Sequence, residues 1–249
     1  MKVFEVLQKR PTRKGLIPIV QLPRSATLSV ASLQKNFLGS GYQADVFKHP
    51  KHGQTVIKLI HIPDDDQEII EGAVWYVNAI LKNPNNPFLP RIHKAKIYEI
   101  GGQGMDREMA NLTDDGYQDD YKAILFVETE MLLPLDHPKL AHSGDEMLEA
   151  VGITKEKLVP LMRMNPAQMH RHAKFVEGLS TAALLGHISP DKFMKVADIT
   201  TNPELAKAIR IMHDVVTSHA SANLDLHDDN FMVRITSVGP QLVLNDPIV

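Results

Sequence analysis

The sequence predicts an α+β chain of two lobes, the first built on strands and the second mostly on helices. Three observations point there. From Phe37 to Ile60 the chain reads strand, glycine turn, strand, turn, strand: FLGSGYQADVFK, then HPKHGQ, then TVIKLI. Residues 137–222 shift to helical composition, with repeated Asn-Pro and Ser-Pro start signals. The closing stretch from Asn223 to Val249 returns to strands, FMVRI and QLVL, around a turn containing Gly239 and Pro240. The expected division is residues 1–132 for the strand lobe and 133–249 for the helical one.

Bulk properties narrow the function classes. A chain of 249 residues suffices for one large domain or two small lobes around a sizeable core. A formal charge of −3 gives no electrostatic case for nucleic-acid binding. The absence of cysteine excludes disulfides, thiolate zinc sites and cysteine nucleophiles. No apolar run has signal-peptide or membrane-spanning length, so the expectation is a cytoplasmic protein without membrane contact.

Residues 1–14 read as a short helix ending in solvated basic residues, and residues 16–36 carry no assigned chemistry. Gly39, Gly41 and Ala44 form a G-x-G-x-x-A pattern. A dinucleotide fingerprint of that form opens a helix, whereas this one leads into strand-like DVFK, so a glycine-rich hairpin covering a phosphate fits better. In TVIKLI, Val56, Lys58 and Ile60 share one strand face, while Thr55, Ile57 and Leu59 share the other. A lysine on an apolar face is costly unless paired or solvated, so Lys58 is either a phosphate ligand or a protective edge charge. The run QEIIEGAVWYVNAILKN places Ile70, Val74, Val77 and Leu81 at helical spacing. Its Glu68 and Glu71 are both candidates to pair with Lys58, with Glu71 preferred for its deeper position in the helix.

NPNNPFLPRIH reads as a proline-rich connection, residues 101–122 as a polar loop, and AILFVE as a buried strand. The strand runs into TEMLLPLDHP, a natural hinge, where the backbone of Glu130, Met131 and Leu132 is expected to hydrogen-bond a flat base. Beyond it, Asn165-Pro166, Ser189-Pro190 and Asn202-Pro203 mark helix starts, and Gly186 is a plausible helix stop. Leu205, Ile209, Met212 and Val216 line a core face. His170 and His172 do not share a helical face, and no H-E-x-x-H occurs, which argues against zinc.

The terminal stretch holds the chemistry. Asp225 precedes Asn230 by five residues, and Asp246 lies sixteen further on. One carboxylate before a strand pair, an amide beside it and a second carboxylate after the pair make an economical metal–phosphate site. The alternative is a polar loop and an ordinary hairpin.

The order of glycine hairpin, strand lysine, helix with glutamate, hinge, helices, D-x-x-x-x-N, strand pair and Asp resembles the protein-kinase-like fold. The residues carrying it are LGSGYQADV (Leu38 to Val46), VIK ending at Lys58, DLHDDN (Asp225 to Asn230) and NDP (Asn245 to Pro247). DLHDDN looks more like the D-L-H-x-x-N of aminoglycoside- and choline-kinase-like enzymes than the H-R-D-L-K-x-x-N of eukaryotic protein kinases. The combination with a terminal DP is most similar to the compact Ser/Thr protein kinases encoded by tailed bacteriophages.

The resemblance implies a small antiparallel-sheet N-lobe and a mostly helical C-lobe lacking the segment after the metal-binding Asp. It implies ATP and Mg2+ as cofactors, with Asp225 as catalytic base, and Asn230 and Asp246 as magnesium ligands. Lys58 would bind phosphate with Glu71 as partner, and Leu38, Gly39, Ser40, Gly41 and Val46 would cover the nucleotide. Host proteins would be the substrates. A small-molecule acceptor and a non-catalytic, inhibitory binding module are the alternatives. Asn223 stands where the eukaryotic motif has His, and Pro247 follows Asp246 where Phe is usual, so no aromatic flip is expected. Three residues follow Asp246, so no activation segment is expected either.

Overall fold

The computed structural model describes residues 17, 19–21, 35–40, 44–63, 67–99, 121–140, 143–163, 178–218, 222–246 and 248. The fold is α+β, and the chain divides into two compact units. One comprises residues 1–82 and 91–131, the other residues 83–90 and 132–249. Residues 83–90, which a single division at 132 assigns to the first lobe, therefore belong to the second unit.

The first unit is a six-stranded sheet and a helix. Its strands are β1 (Ile19–Gln21), β2 (Phe37–Ser40), β3 (Ala44–Lys48), β4 (Thr55–Pro63), β5 (Ile92–Glu99) and β6 (Tyr121–Glu130). They lie in the order β1-β5-β6-β4-β3-β2. All neighbours are antiparallel except β1, which pairs parallel to β5 at the edge. That strand falls in a stretch where apolar and small polar residues alternate around Pro18 and Pro23 and no strand is expected, because a three-residue edge strand leaves too short a pattern to read.

Alternation along β4 explains the core. Ile57 and Leu59 join Phe47, Ile124 and Phe126 on one face. Ile60 joins Ala44, Ala95, Ile97, Leu125 and Val127 on the other, where helix α1 (Gln67–Lys82) packs through Ala73, Val74 and Val77. Both faces of the sheet are covered, which is why TVIKLI and AILFV read as nearly continuous apolar runs. Fully burying a side chain such as Leu125 contributes about 1.5–3 kcal/mol.

The second unit combines helices with a three-stranded sheet. Among the described residues its α-helices are α2 (Ser143–Glu149), α3 (Lys155–Leu158), α4 (Thr181–Leu184), α5 (Met194–Ile199) and α6 (Pro203–Ser218). Asn202 caps α6: its Oδ1 accepts from the amides of Glu204 (2.9 Å) and Leu205 (3.2 Å). The buried stripe of α6 runs through Leu205, Ile209 and Met212 and ends at Val215, with Val216 only half-buried. Ser189-Pro190 starts a single 3-10 turn, Pro190–Lys192, ahead of α5. Asn165-Pro166 lies outside the described residues.

The sheet is β7 (Leu133–Pro134), β8 (Phe231–Thr236) and β9 (Gly239–Leu244), all antiparallel. The turn between β8 and β9 is Ser237–Val238, and Gly239, at φ 120°, opens β9. Only glycine takes that backbone without strain. Among the described residues no helix is long and apolar enough to cross a membrane.

Candidate functional site

In the second unit the chain from Leu224 to Ile248 closes on itself. Leu224 bridges Ile248, Phe231 pairs with Leu244, and the Asn245 amide donates to the Asn230 carbonyl at 2.9 Å. These three ties fasten the loop holding Asp225 and Asn230 to the segment holding Asp246. Inside the loop, the Asn230 side-chain amide donates to the Asp225 carbonyl oxygen (2.8 Å) and to its Oδ2 (3.1 Å). Because Nδ2 is turned to Asp225, the other end of the Asn230 amide, Oδ1, faces away from it. The opposite carboxylate oxygen, Oδ1 of Asp225, lies 2.9 Å from His227 Nε2. The carboxylate is one-third exposed and the imidazole 62% exposed, so both are open to a reacting group from solvent. Asp246 is half-buried. Asn230 and Asp246 offer hard oxygen donors of the kind a magnesium ion takes.

Residues that the sequence did not mark hold this loop. Arg163 donates through Nε to the Ile188 carbonyl (3.2 Å) and through a terminal nitrogen to the Leu226 carbonyl (3.4 Å), one residue after Asp225. Gly186 follows the end of α4 directly after its C-cap Leu185, in the 3-10 turn Leu185–His187, and it also lies directly against the loop backbone. A Cβ there would lie 2.3 Å from the Asp228 nitrogen and 2.6 Å from the His227 carbonyl carbon. Behind β8, buried Arg234 donates to the carbonyls of Pro87 (2.6 Å) and Leu89 (2.9 Å), and the Leu244 amide donates to the Phe88 carbonyl (2.8 Å). The proline-rich stretch 83–90 is thus a brace for the hairpin that ends at Asp246. An arginine inside FMVRI was the available signal, since a charge in an apolar strand needs partners.

In the first unit Lys58 stands opposite Val46 of β3 and Val127 of β6, on the same face as Ile60 and hence on the face that α1 covers. It is half-buried in a central strand, which removes the reading as an edge-strand charge. Glu71 lies in α1 three positions before Val74, and its side chain, like that of Glu68, is outside the described residues. Strands β2 and β3 pair with Gly39 opposite Val46 and Ser40 opposite Asp45, with an irregularity at Leu38, which is exposed. Gly39 has open space where a side chain would be, and Gly41 lies outside the described residues. The expectation for Glu130, Met131 and Leu132 narrows. The Glu130 amide already donates to the Arg91 carbonyl (3.1 Å) and the Met131 amide to the Gln54 carbonyl (2.8 Å). Neither contact uses the Leu132 amide.

His49, His52 and Glu128 bring metal-ligating atoms within 4.8 Å of one another at the turn between β3 and β4. The hydrogen bonding disfavours an ion there. His49 Nδ1 accepts from the amides of Lys51 (3.1 Å) and His52 (3.0 Å), so the neutral ring carries its proton on Nε2, the atom 3.9 Å from Glu128. A metal on Nε2 would force a proton onto Nδ1, against two N–H groups.

No protein-family model matches the chain, and no curated protein matches it.

Proposed function

We propose that the protein is an ATP- and magnesium-dependent phosphotransferase of protein-kinase-like fold, acting on Ser/Thr hydroxyls of proteins. In this reading Asp225 receives the acceptor's proton, and Asn230 Oδ1 with the Asp246 carboxylate holds magnesium. Lys58 neutralises the nucleotide's phosphates, and Glu71 steadies it from α1. The bound ion would offset charge on the phosphates. Phosphoryl transfer asks for alignment and charge neutralisation more than covalent help, and these side chains are of the types that supply it.

The observation that carries the reading is the closure of the loop from Leu224 to Ile248, which gathers Asp225, Asn230 and the segment of Asp246 through backbone ties. The first unit supports it: a glycine-bearing hairpin, the lysine strand, a helix and two further strands follow in that order, with Lys58 on the helix-covered face. The D-L-H form of the loop favours a small-molecule hydroxyl as the second reading.

The test is transfer of label from γ-labelled ATP to lysate proteins, and separately to aminoglycosides and amino alcohols, by wild type, Asp225→Ala and Lys58→Met. Protein labelling lost in both variants supports the kinase. Turnover of small acceptors alone selects the second reading. No transfer to either by folded, nucleotide-bound protein sinks both.

A further inference from the structure

The turn joining β3 to β4 is wired to the segment expected to meet the base. His49 Nδ1 accepts the Lys51 and His52 amides. The His52 carbonyl then accepts the Thr55 amide (3.0 Å), the Thr55 carbonyl accepts the His49 amide (3.0 Å), and the Gln54 carbonyl accepts the Met131 amide (2.8 Å). One imidazole nitrogen therefore anchors the turn whose last residue, Gln54, holds the Met131 amide. An imidazolium carries hydrogen on both nitrogens and accepts nothing, so a protonated ring would confront the two turn amides with a third donor.

We propose that neutral His49 is a positioning residue, holding the β3–β4 turn and through it the Met131 backbone, and that protonation at Nδ1 releases both. The consequence for nucleotide binding rests on the kinase reading; the coupling of turn to Met131 does not.

The surroundings favour the neutral ring. Its side chain is 14% exposed, and burial holds its pKa below the ordinary 6.5. Glu128 on β6 pulls the other way, while His52 and Lys51 in the turn and Lys94 on β5 add to the depression. Asparagine offers a test that keeps the acceptor without the titration, since its Oδ1 accepts amides two and three residues on, as in an Asx turn.

The experiment is nuclear magnetic resonance of uniformly 15N-labelled protein over a pH series, for wild type, His49→Asn and His49→Leu. In wild type the ring is expected as the Nε2–H tautomer at about pH 8, well above the ordinary imidazole value. The amide resonances of Lys51, His52 and Met131 should then shift together, with a midpoint matching that of His49 and lying below 6.5. His49→Asn should hold all three amides flat across the range, and His49→Leu, if it folds, should show the released positions at every pH. An Nδ1–H tautomer, a Met131 amide that ignores the His49 midpoint, or stoichiometric zinc binding to the His49 and His52 rings would overturn the proposal. Titration with ATP at both ends of the series separates the two claims. Coupled amides in a protein that binds no nucleotide uphold the positioning role and count against the kinase reading. Binding that weakens on acidification in wild type but not in His49→Asn upholds both.

Discussion

Asn230 holds Asp225 twice, once by the backbone carbonyl at 2.8 Å and once by the carboxylate at 3.1 Å. A single amide thereby sets both the loop's shape and the direction of the carboxylate. Asn230→Asp replaces that donor with an anion facing two acceptors. On the proposed phosphotransferase reading, the expected result is label transfer reduced by about 10²-fold or more, similar to loss of a positioned base. A steady-state comparison with Asp225→Ala checks it, and an Asn230→Asp protein retaining a tenth of wild-type transfer would contradict it.

Gly186 should tolerate no side chain. The added methyl of Gly186→Ala meets backbone rather than a movable side-chain end, so the loop from His227 to Asp228 must shift. Overpacking of this kind costs roughly 1–3 kcal/mol. Chemical denaturation should show that loss, and on the proposed phosphotransferase reading transfer should fall further than stability alone explains. Unchanged stability would mean the turn and loop are not in contact.

Arg234→Met keeps the apolar stem and removes the donors to Pro87 and Leu89. Leaving buried carbonyls without these charged partners should destabilise by about 1–3 kcal/mol. Proteolysis should then open first within residues 83–90, the segment that Arg234 ties to β8. Cleavage elsewhere first would show that another contact holds the brace.

His49 also predicts a pH dependence of stability. Its folded-state pKa is lowered, chiefly by burial, so the unfolded chain binds the proton more readily. Its contribution is complete above the ordinary value of 6.5 and declines as pH falls from there toward the folded-state pKa. Wild type should lose stability relative to His49→Asn over that window, measured by urea titration at each pH. Parallel curves for the two proteins would remove the effect.

Buried Asn78 on α1 has no hydrogen-bond partner for either end of its side-chain amide among the described residues. Asn78→Leu should therefore be neutral or stabilising in thermal denaturation, since it relieves a desolvated amide. A loss of more than about 1 kcal/mol would mean the amide is satisfied.

What the sequence determined by itself is local. The apolar runs of β4 and β6, the helical stripe of α1, the Asn202 cap and the spacing from Asp225 to Asn230 are written in near neighbours, where strand alternation, helical period and turn chemistry act. Tertiary structure alone decided the rest. It set Gly186 against the loop, recruited residues 83–90 to brace β8, added β1 as a parallel edge and gave the Met131 amide to Gln54. Each of these outcomes joins residues far apart in the chain. Which distant carbonyl meets an amide, and which glycine lets two backbones touch, follows from packing and from the need to satisfy buried polar groups, and no periodicity records it.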